Sequence, residues 1–149
     1  MGLGVAGREA IATAQRRGAV VEGYDVRPET KEQALSLGAT FVDTGVNATG
    51  KGGYARELTA EEKTKVASVL TAHIQAADLI ITTAAIPGRP SPTLISKAQV
   101  AGMKAGAVLV DLSAAGGGHR EDTPPGEPAQ TRLVHIAPPL HGRAFPCAD

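Results

Sequence analysis

Three glycines at the start of the chain constrain its fold more than any other feature. Gly2-Leu3-Gly4-Val5-Ala6-Gly7 reads G-x-G-x-x-G and opens a helical pattern that runs to Gly18. Glycine has a separate use at each place. The first permits a tight strand-to-helix turn, the second lets a bulky anion approach the backbone, and the third lets the helix pack against a strand. Phosphate groups would sit on the free N–H groups and positive dipole end of that helix. In a chain with 18 glycines the spacing also arises by chance, so the next segment decides. Ala19-Val20-Val21-Glu22-Gly23-Tyr24-Asp25 reads as a strand. Asp25 falls about 20 residues past the glycines, where a dinucleotide fold places the carboxylate that takes the ribose hydroxyls. Such an acid selects NAD over NADP, because it repels a 2′-phosphate. The motif should follow a strand, and only Met1 precedes it.

Further along, Pro28 sits where a helix accepts its first residue, and Glu29 to Leu37 reads as helix ending at Gly38. Ala39 to Asp43 is a short strand candidate. Thr44 to Leu58, rich in glycine, shows no periodicity and reads as a loop, a length that is usually functional or disordered. Thr59-Ala60-Glu61-Glu62 is a capping box. It opens a helix with Val66, Val69, Leu70, Ile74 and Ala77 on one face. Asp78 to Thr83 is a continuous apolar run, as expected of a strand covered on both faces. Leu94 to Met103 reads as a short helix, Ala107 to Leu112 as a further buried strand, and Leu133 to Ile136 as a weak sixth. Alternating strands and helices give an α/β fold, a Rossmann-like doubly wound parallel sheet lacking its first strand. Residues 1–136 form this partial domain, and residues 137–149 an irregular tail in which prolines leave no room for an element.

At 149 residues the chain is one domain's worth, and without tryptophan its core must come from Ala, Val, Ile and Leu. Fifteen basic residues balance fifteen acidic ones, which leaves no basic footprint for a nucleic acid. The single cysteine, Cys147, excludes an internal disulfide and a cysteine-based metal site. No apolar run approaches the roughly 20 residues that span a bilayer, and no signal-peptide pattern is visible, so the chain is expected to be soluble.

The candidate chemistry lies around the glycine turn. Arg27 either helps to hold an adenosine phosphate or is a solvated helix-start charge, and a solvated charge or a modest ribose contact is favoured. Lys51 to Glu57, with Tyr54, is either a lid over a bound nucleotide or a mobile surface loop. Thr82, Thr83 and Ala84, at the strand end where open sheets bind ligands, either line a nicotinamide pocket or are ordinary strand ends. His73 reads as a helix residue without a special task. His119, His135 and His141 read as surface or loop histidines, since no metal-ligand spacing is present. Ser113 lacks a nucleophile elbow, and no catalytic acid–base pair presents itself. Hydride transfer between two nicotinamides needs none.

Five segments agree with one family. Gly-Val-Ala-Gly with Ala10-Ile11-Ala12-Thr13-Ala14, then Tyr24-Asp25-Val26-Arg27-Pro28, then Gly53-Tyr54-Ala55-Arg56-Glu57-Leu58, occur in order. Ile81-Thr82-Thr83-Ala84 with Ile86-Pro87-Gly88-Arg89-Pro90, and Val110-Asp111-Leu112, follow. Over about residues 2–121 the chain closely resembles the NAD(H)-binding domain of proton-translocating NAD(P) transhydrogenase. Alanine dehydrogenase is a relative with the same glycine turn but without the Gly-Tyr-Ala segment. The resemblance implies that NADH is held here while NADP(H) sits on a partner domain, and that a membrane domain couples hydride transfer to proton movement. It further implies a homodimer of NAD(H) domains, placed as a soluble domain at the membrane surface, on the bacterial cytoplasmic or mitochondrial matrix side. Carried over by position, Gly2, Gly4, Val5, Ala6 and Gly7 form the turn. Asp25, Val26 and Arg27 reach the ribose, Gly53 and Tyr54 belong to the mobile loop, and Thr83, Ala84 and Ala85 line the nicotinamide end.

The chain also departs from that family. A preceding half, which contributes an Arg-Gln-Asp loop, is absent, as is the first strand. Ala115-Gly116-Gly117-Gly118-His119 stands where the family has Glu-Gln-Gly-Gly-Asn, and Ala85 where leucine is more usual. Ala137 to Arg143 matches no family segment. The chain is therefore read as a fragment, a truncated gene model or a degenerate copy. Losing the first strand exposes two strand edges, which predicts a marginally stable chain when isolated. The other functional readings are an NAD-dependent dehydrogenase of the alanine dehydrogenase type and a non-catalytic remnant.

Overall fold

A computed structural model describes residues 1–85, 90–113 and 118–121, together with the strand backbones at 129–130 and 134–137. The order is α1 (Val5–Arg16), β1 (Glu22–Gly23), α2 (Thr30–Ser36), β2 (Thr40–Phe41), a 3-10 turn at Lys51–Gly53, α3 (Ala60–Ala76), β3 (Leu79–Thr82), α4 (Lys97–Ala101), β4 (Ala107–Asp111), β5 (Ala129–Gln130) and β6 (Val134–Ala137). The fold is α/β and Rossmann-like, with β1 parallel to β2, β3 to β4 and β4 to β6. β5 is antiparallel to β6 and was not expected.

The sheet is in two parts, β1-β2 and β3-β4-β6-β5, with the glycine-motif segment between them. Met1 takes the place of a strand end. Its nitrogen donates to Ile81 O at 2.7 Å, and its carbonyl accepts from Thr83 N at 2.9 Å. On the other edge Gly2 N donates to Tyr24 O at 2.8 Å. This alternation is that of a parallel ladder, so a few residues tie the two halves together at their C-terminal ends. Below that tie the edges face solvent: Val20 is 97% exposed and Leu79 52%. The apolar run at 78–83 is therefore only half covered, against the expectation of burial on both faces.

Helices cover both faces. Leu3, Ile11, Ala34 and Ala39 form one small core beneath α1 and α2. Val66, Leu70 and Ile74 of α3 pack with Ile80, Val100, Met103 and Leu109 to form the larger one. The Thr59–Glu62 capping box is present, with Thr59 N donating to Glu62 Oε2 at 2.9 Å and Glu62 N to Thr59 Oγ1 at 3.3 Å. A second box, Ser96 with Gln99, starts α4. It makes that helix shorter than its apolar pattern suggests, because Leu94 and Ile95 are drawn out of helical geometry: their N–H groups both donate to His119 O. The loop at 44–58 is more ordered than its composition implies. Thr49 bridges Ala55 antiparallel, and Arg56 N donates to Ala48 O at 2.8 Å, closing a small hairpin.

Candidate functional site

The opening turn is shaped by two collisions that only glycine avoids. Gly2 has φ +88°, and a Cβ there would lie 2.6 Å from Ala84 N. A Cβ on Gly7 would overlap the Gly2 carbonyl oxygen. Gly4 differs from both: its Cβ would meet nothing within 4 Å. No packing demand of the described chain accounts for glycine at that position, and the open space beside it is what an approaching pyrophosphate requires. Gly4 is also the N-cap of α1, with no side-chain cap. The N–H groups of Val5, Ala6 and Gly7 lie in the first turn, where a helix offers no backbone partner and binds anions.

Asp25 sits just past β1, and its carboxylate is fully used. Leu3 N donates to Oδ2 at 2.7 Å and Arg27 N to Oδ1 at 3.0 Å. The Arg27 guanidinium adds Nε to Oδ1 at 2.9 Å and a terminal nitrogen to Oδ2 at 2.8 Å. Burial alone would raise the Asp25 pKa, but the Arg27 guanidinium and then the backbone donors outweigh it and hold it below the usual carboxylate range. Arg27 is thus not solvated, the first of the two readings the sequence favoured. It is engaged with Asp25, and it also donates to Gly53 O at 3.1 Å, tying the hairpin to the turn.

A cleft of about 590 Å³ gathers these pieces. Gly2, Gly4, Val5 and Ala6 of the glycine turn line it, with Asp25, Val26 and Arg27 from beyond β1 and Thr83, Ala84 and Ala85 from beyond β3. Tyr54 comes from the hairpin. Gly7 and Gly53 do not line it: Gly7 supports Gly2 from behind, and Gly53 meets Arg27. Tyr24, Leu58, Lys63 and Leu94 line the cleft without having been singled out. His73 pairs with Glu22 at 2.8 Å on the exposed surface, away from the cleft lining.

The larger omission is His119. Read as a loop histidine, it is fully buried. Its Nδ1 lies 2.8 Å from Asp111 Oδ1 and its backbone N–H donates to Asp111 Oδ2 at 2.6 Å. Its Nε2 meets the carbonyl of Ala84, on the cleft wall. Asp111 ends a buried strand, and a carboxylate there must find donors; that was the available signal. Burial would raise its pKa, but the His119 ring, then the His119 and Ser113 N–H groups, bring it down to about 2. Residues 86–89, His141 and Cys147 lie outside the described residues, as do the side chains of β5 and β6.

The family profile described as Alanine dehydrogenase/PNT, C-terminal domain, matches residues 1–146. The chain belongs to that family. Within it, the chain is 44% identical over 133 residues to NAD(P) transhydrogenase subunit alpha of Haemophilus influenzae, covering 88% of this chain and 26% of that one. It is 45% identical over 130 residues to a NAD(P) transhydrogenase alpha subunit of Rhodospirillum rubrum, covering 85% and 34%. Alanine dehydrogenase of Mycolicibacterium smegmatis is more distant, at 33% over 125 residues, 84% of this chain and 29% of that one. The crystal structure of transhydrogenase from Sinorhizobium meliloti superposes with a TM-score of 0.74 at 40% identity, over 93% of this chain and 35% of that one. The chain spans about a quarter to a third of the length of the relatives it matches. Among the described residues no helix is long and apolar enough to cross a membrane.

Proposed function

We propose that this chain is the NAD(H)-binding portion of a NAD(P) transhydrogenase. In the full assembly it would hold NADH for hydride transfer to NADP on a partner domain, with membrane domains or subunits coupling transfer to proton movement. The observation that carries this reading is the cleft joining the glycine turn, Asp25 and Thr83 to Ala85 in a chain so similar to transhydrogenase alpha subunits.

The residues present fit a dinucleotide. The α1 N–H groups and the open side of Gly4 would receive the pyrophosphate, and Asp25 the adenosine ribose, once Arg27 releases one of the carboxylate oxygens it donates to. Thr83, Ala84 and Ala85 would border the nicotinamide. Bound NADH supplies the hydride; the protein's part is to hold it and to exclude water, Tyr54 and the hairpin closing one side. A soluble domain at the membrane surface, dimeric with its own kind, accords with the same reading.

Fluorescence titration of the chain with NADH, beside NADPH and beside Asp25→Ala, tests it. Saturable binding that prefers NADH and disappears in the variant is expected. A folded chain that does not bind NADH overturns the proposal, and hydride transfer to pyruvate plus ammonia would favour the alanine dehydrogenase reading instead.

A further inference from the structure

We propose that His119 is a positioning residue for the nicotinamide end of the cleft: held by Asp111, its ring pins the Ala84 carbonyl and so sets the backbone from Thr83 to Ala85. The proposal rests on the NAD(H) reading above. The arrangement begins with an acceptor at each ring nitrogen. The Ala84 carbonyl oxygen can only accept, so Nε2 must carry a hydrogen to bond it. At Nδ1 stands a carboxylate that already accepts from Ser113 N at 2.9 Å and His119 N at 2.6 Å. The ring is therefore gripped at both nitrogens, fully buried between Asp111 and the Ala84 carbonyl.

The consequence for the cleft follows from what Ala84 touches. Its backbone nitrogen and Cα stand against Gly2, where even a methyl would not fit. On the preceding residue, Thr83 Oγ1 donates to Gly2 O at 2.8 Å. Gly2 thus fixes Ala84 from the turn side, the turn itself being held by Gly2 N bonded to Tyr24 O, while His119 holds the Ala84 carbonyl from the other side, helped by Ser113 Oγ at 3.4 Å. The His119 carbonyl in turn accepts from Leu94 N at 2.6 Å and Ile95 N at 3.1 Å. Leu94 lines the cleft as well. One residue thus connects the end of β4, the Ala84 wall and the Leu94 wall. The other charged side chains nearby, Arg120 and Glu121, follow it in sequence; Glu121 Oε2 accepts from Lys97 N at 3.0 Å. Asp25 and Arg27 bond to one another across the glycine segment from Ala84, and their partners there are Leu3 and Gly53 rather than this network.

That separation provides the test. NADH and ADP-ribose are titrated against the parent chain and against His119→Gln and His119→Ala. ADP-ribose carries the adenosine, pyrophosphate and second ribose but no nicotinamide, so it reports the glycine turn and Asp25 without the nicotinamide contact. With the Ala84 clamp removed, NADH affinity should fall up to about tenfold, the cost of one hydrogen bond, while ADP-ribose affinity stays within about twofold. His119→Gln, which can still donate to one acceptor, should recover part of the loss. Equal loss of both ligands, or of neither, overturns the proposal. If the parent binds neither ligand, the NAD(H) reading itself fails. Ring 15N chemical shifts of the parent chain at neutral pH give a readout that needs no variant. Nε2 should appear protonated, and a bare Nε2 overturns the clamp.

Discussion

Alanine placed singly at two glycines of the opening turn separates ligand space from packing space. Gly4 has φ −70° and ψ −163°, which alanine adopts freely, and its Cβ would meet nothing within 4 Å. Gly4→Ala should therefore leave stability within about 1 kcal/mol of the parent, or raise it slightly by restricting the unfolded chain. Its methyl nevertheless enters the space where a pyrophosphate must touch the backbone. Each hydrogen bond to a charged group is worth about 1.5–3 kcal/mol, so losing one weakens NADH binding at least about tenfold. Gly7→Ala is the converse. Its Cβ would collide with the Gly2 carbonyl and lie 3.0 Å from Thr83 Oγ1, neither of them a free side-chain end. Overpacking of that kind costs about 1–3 kcal/mol, only partly offset by the roughly 1 kcal/mol by which alanine favours helix over glycine. The assays are a urea denaturation midpoint and an NADH fluorescence titration for each variant. A Gly4→Ala chain that is folded and binds NADH like the parent would refute the placement of the pyrophosphate. Parent-like stability in Gly7→Ala would refute the close helix-to-turn contact.

Arg27→Ala leaves Asp25 buried with its backbone donors but without the guanidinium. Because the Arg27 side chain is 20% exposed, the loss at neutral pH should lie below that of a fully buried pair, about 1–3 kcal/mol by urea denaturation; an unchanged midpoint would show the pair to be energetically idle. Asp111 gives an acid-side prediction. Its folded pKa of about 2 lies below the ordinary 3.8, so its stabilisation is complete above pH 3.8 and is lost as pH falls towards 2. The amount is about 2 kcal/mol. Denaturation midpoints between pH 6 and pH 2.5 should fall more steeply in the parent than in Asp111→Asn, and equal slopes would contradict it.

Features written in local chemistry were legible. The helix cap at Thr59, the stop at Gly18, the buried stripe of α3 and the glycine spacing each depend on residues a few positions apart, and each stands in the structure. The strands were legible in place but not in length. β1 and β2 shrink to two residues because a strand is defined by its neighbour, and the lower edge of β1 has none among the described residues. Arg27 was misjudged because whether a charge is solvated depends on what approaches it. Here the N–H of Leu3, across the turn, helps to bury the carboxylate that Arg27 pairs with. His119 was missed for the same reason. Its partners stand 8 and 35 residues away in sequence, and nothing in the run Gly116-Gly117-Gly118-His119 indicates that the ring turns inward. Leu94 and Ile95 carry helical periodicity, yet bonding to the His119 carbonyl prevails over it.

The seam between the two half-sheets changes what a ligand would do to this chain. Among the described residues, Asp25 lies beyond β1 on one side and Thr83 beyond β3 on the other, with residues 1–3 between them. A dinucleotide seated along the cleft would span that seam and act as a stitch, adding its own binding free energy to the coupling of the two blocks. At a concentration of about one hundred times its Kd, that addition is about 2.7 kcal/mol. Whether the sheet melts as one cooperative unit or as two would then depend on the nucleotide pool around it, and redox cofactor supply would become a determinant of how long the folded chain persists.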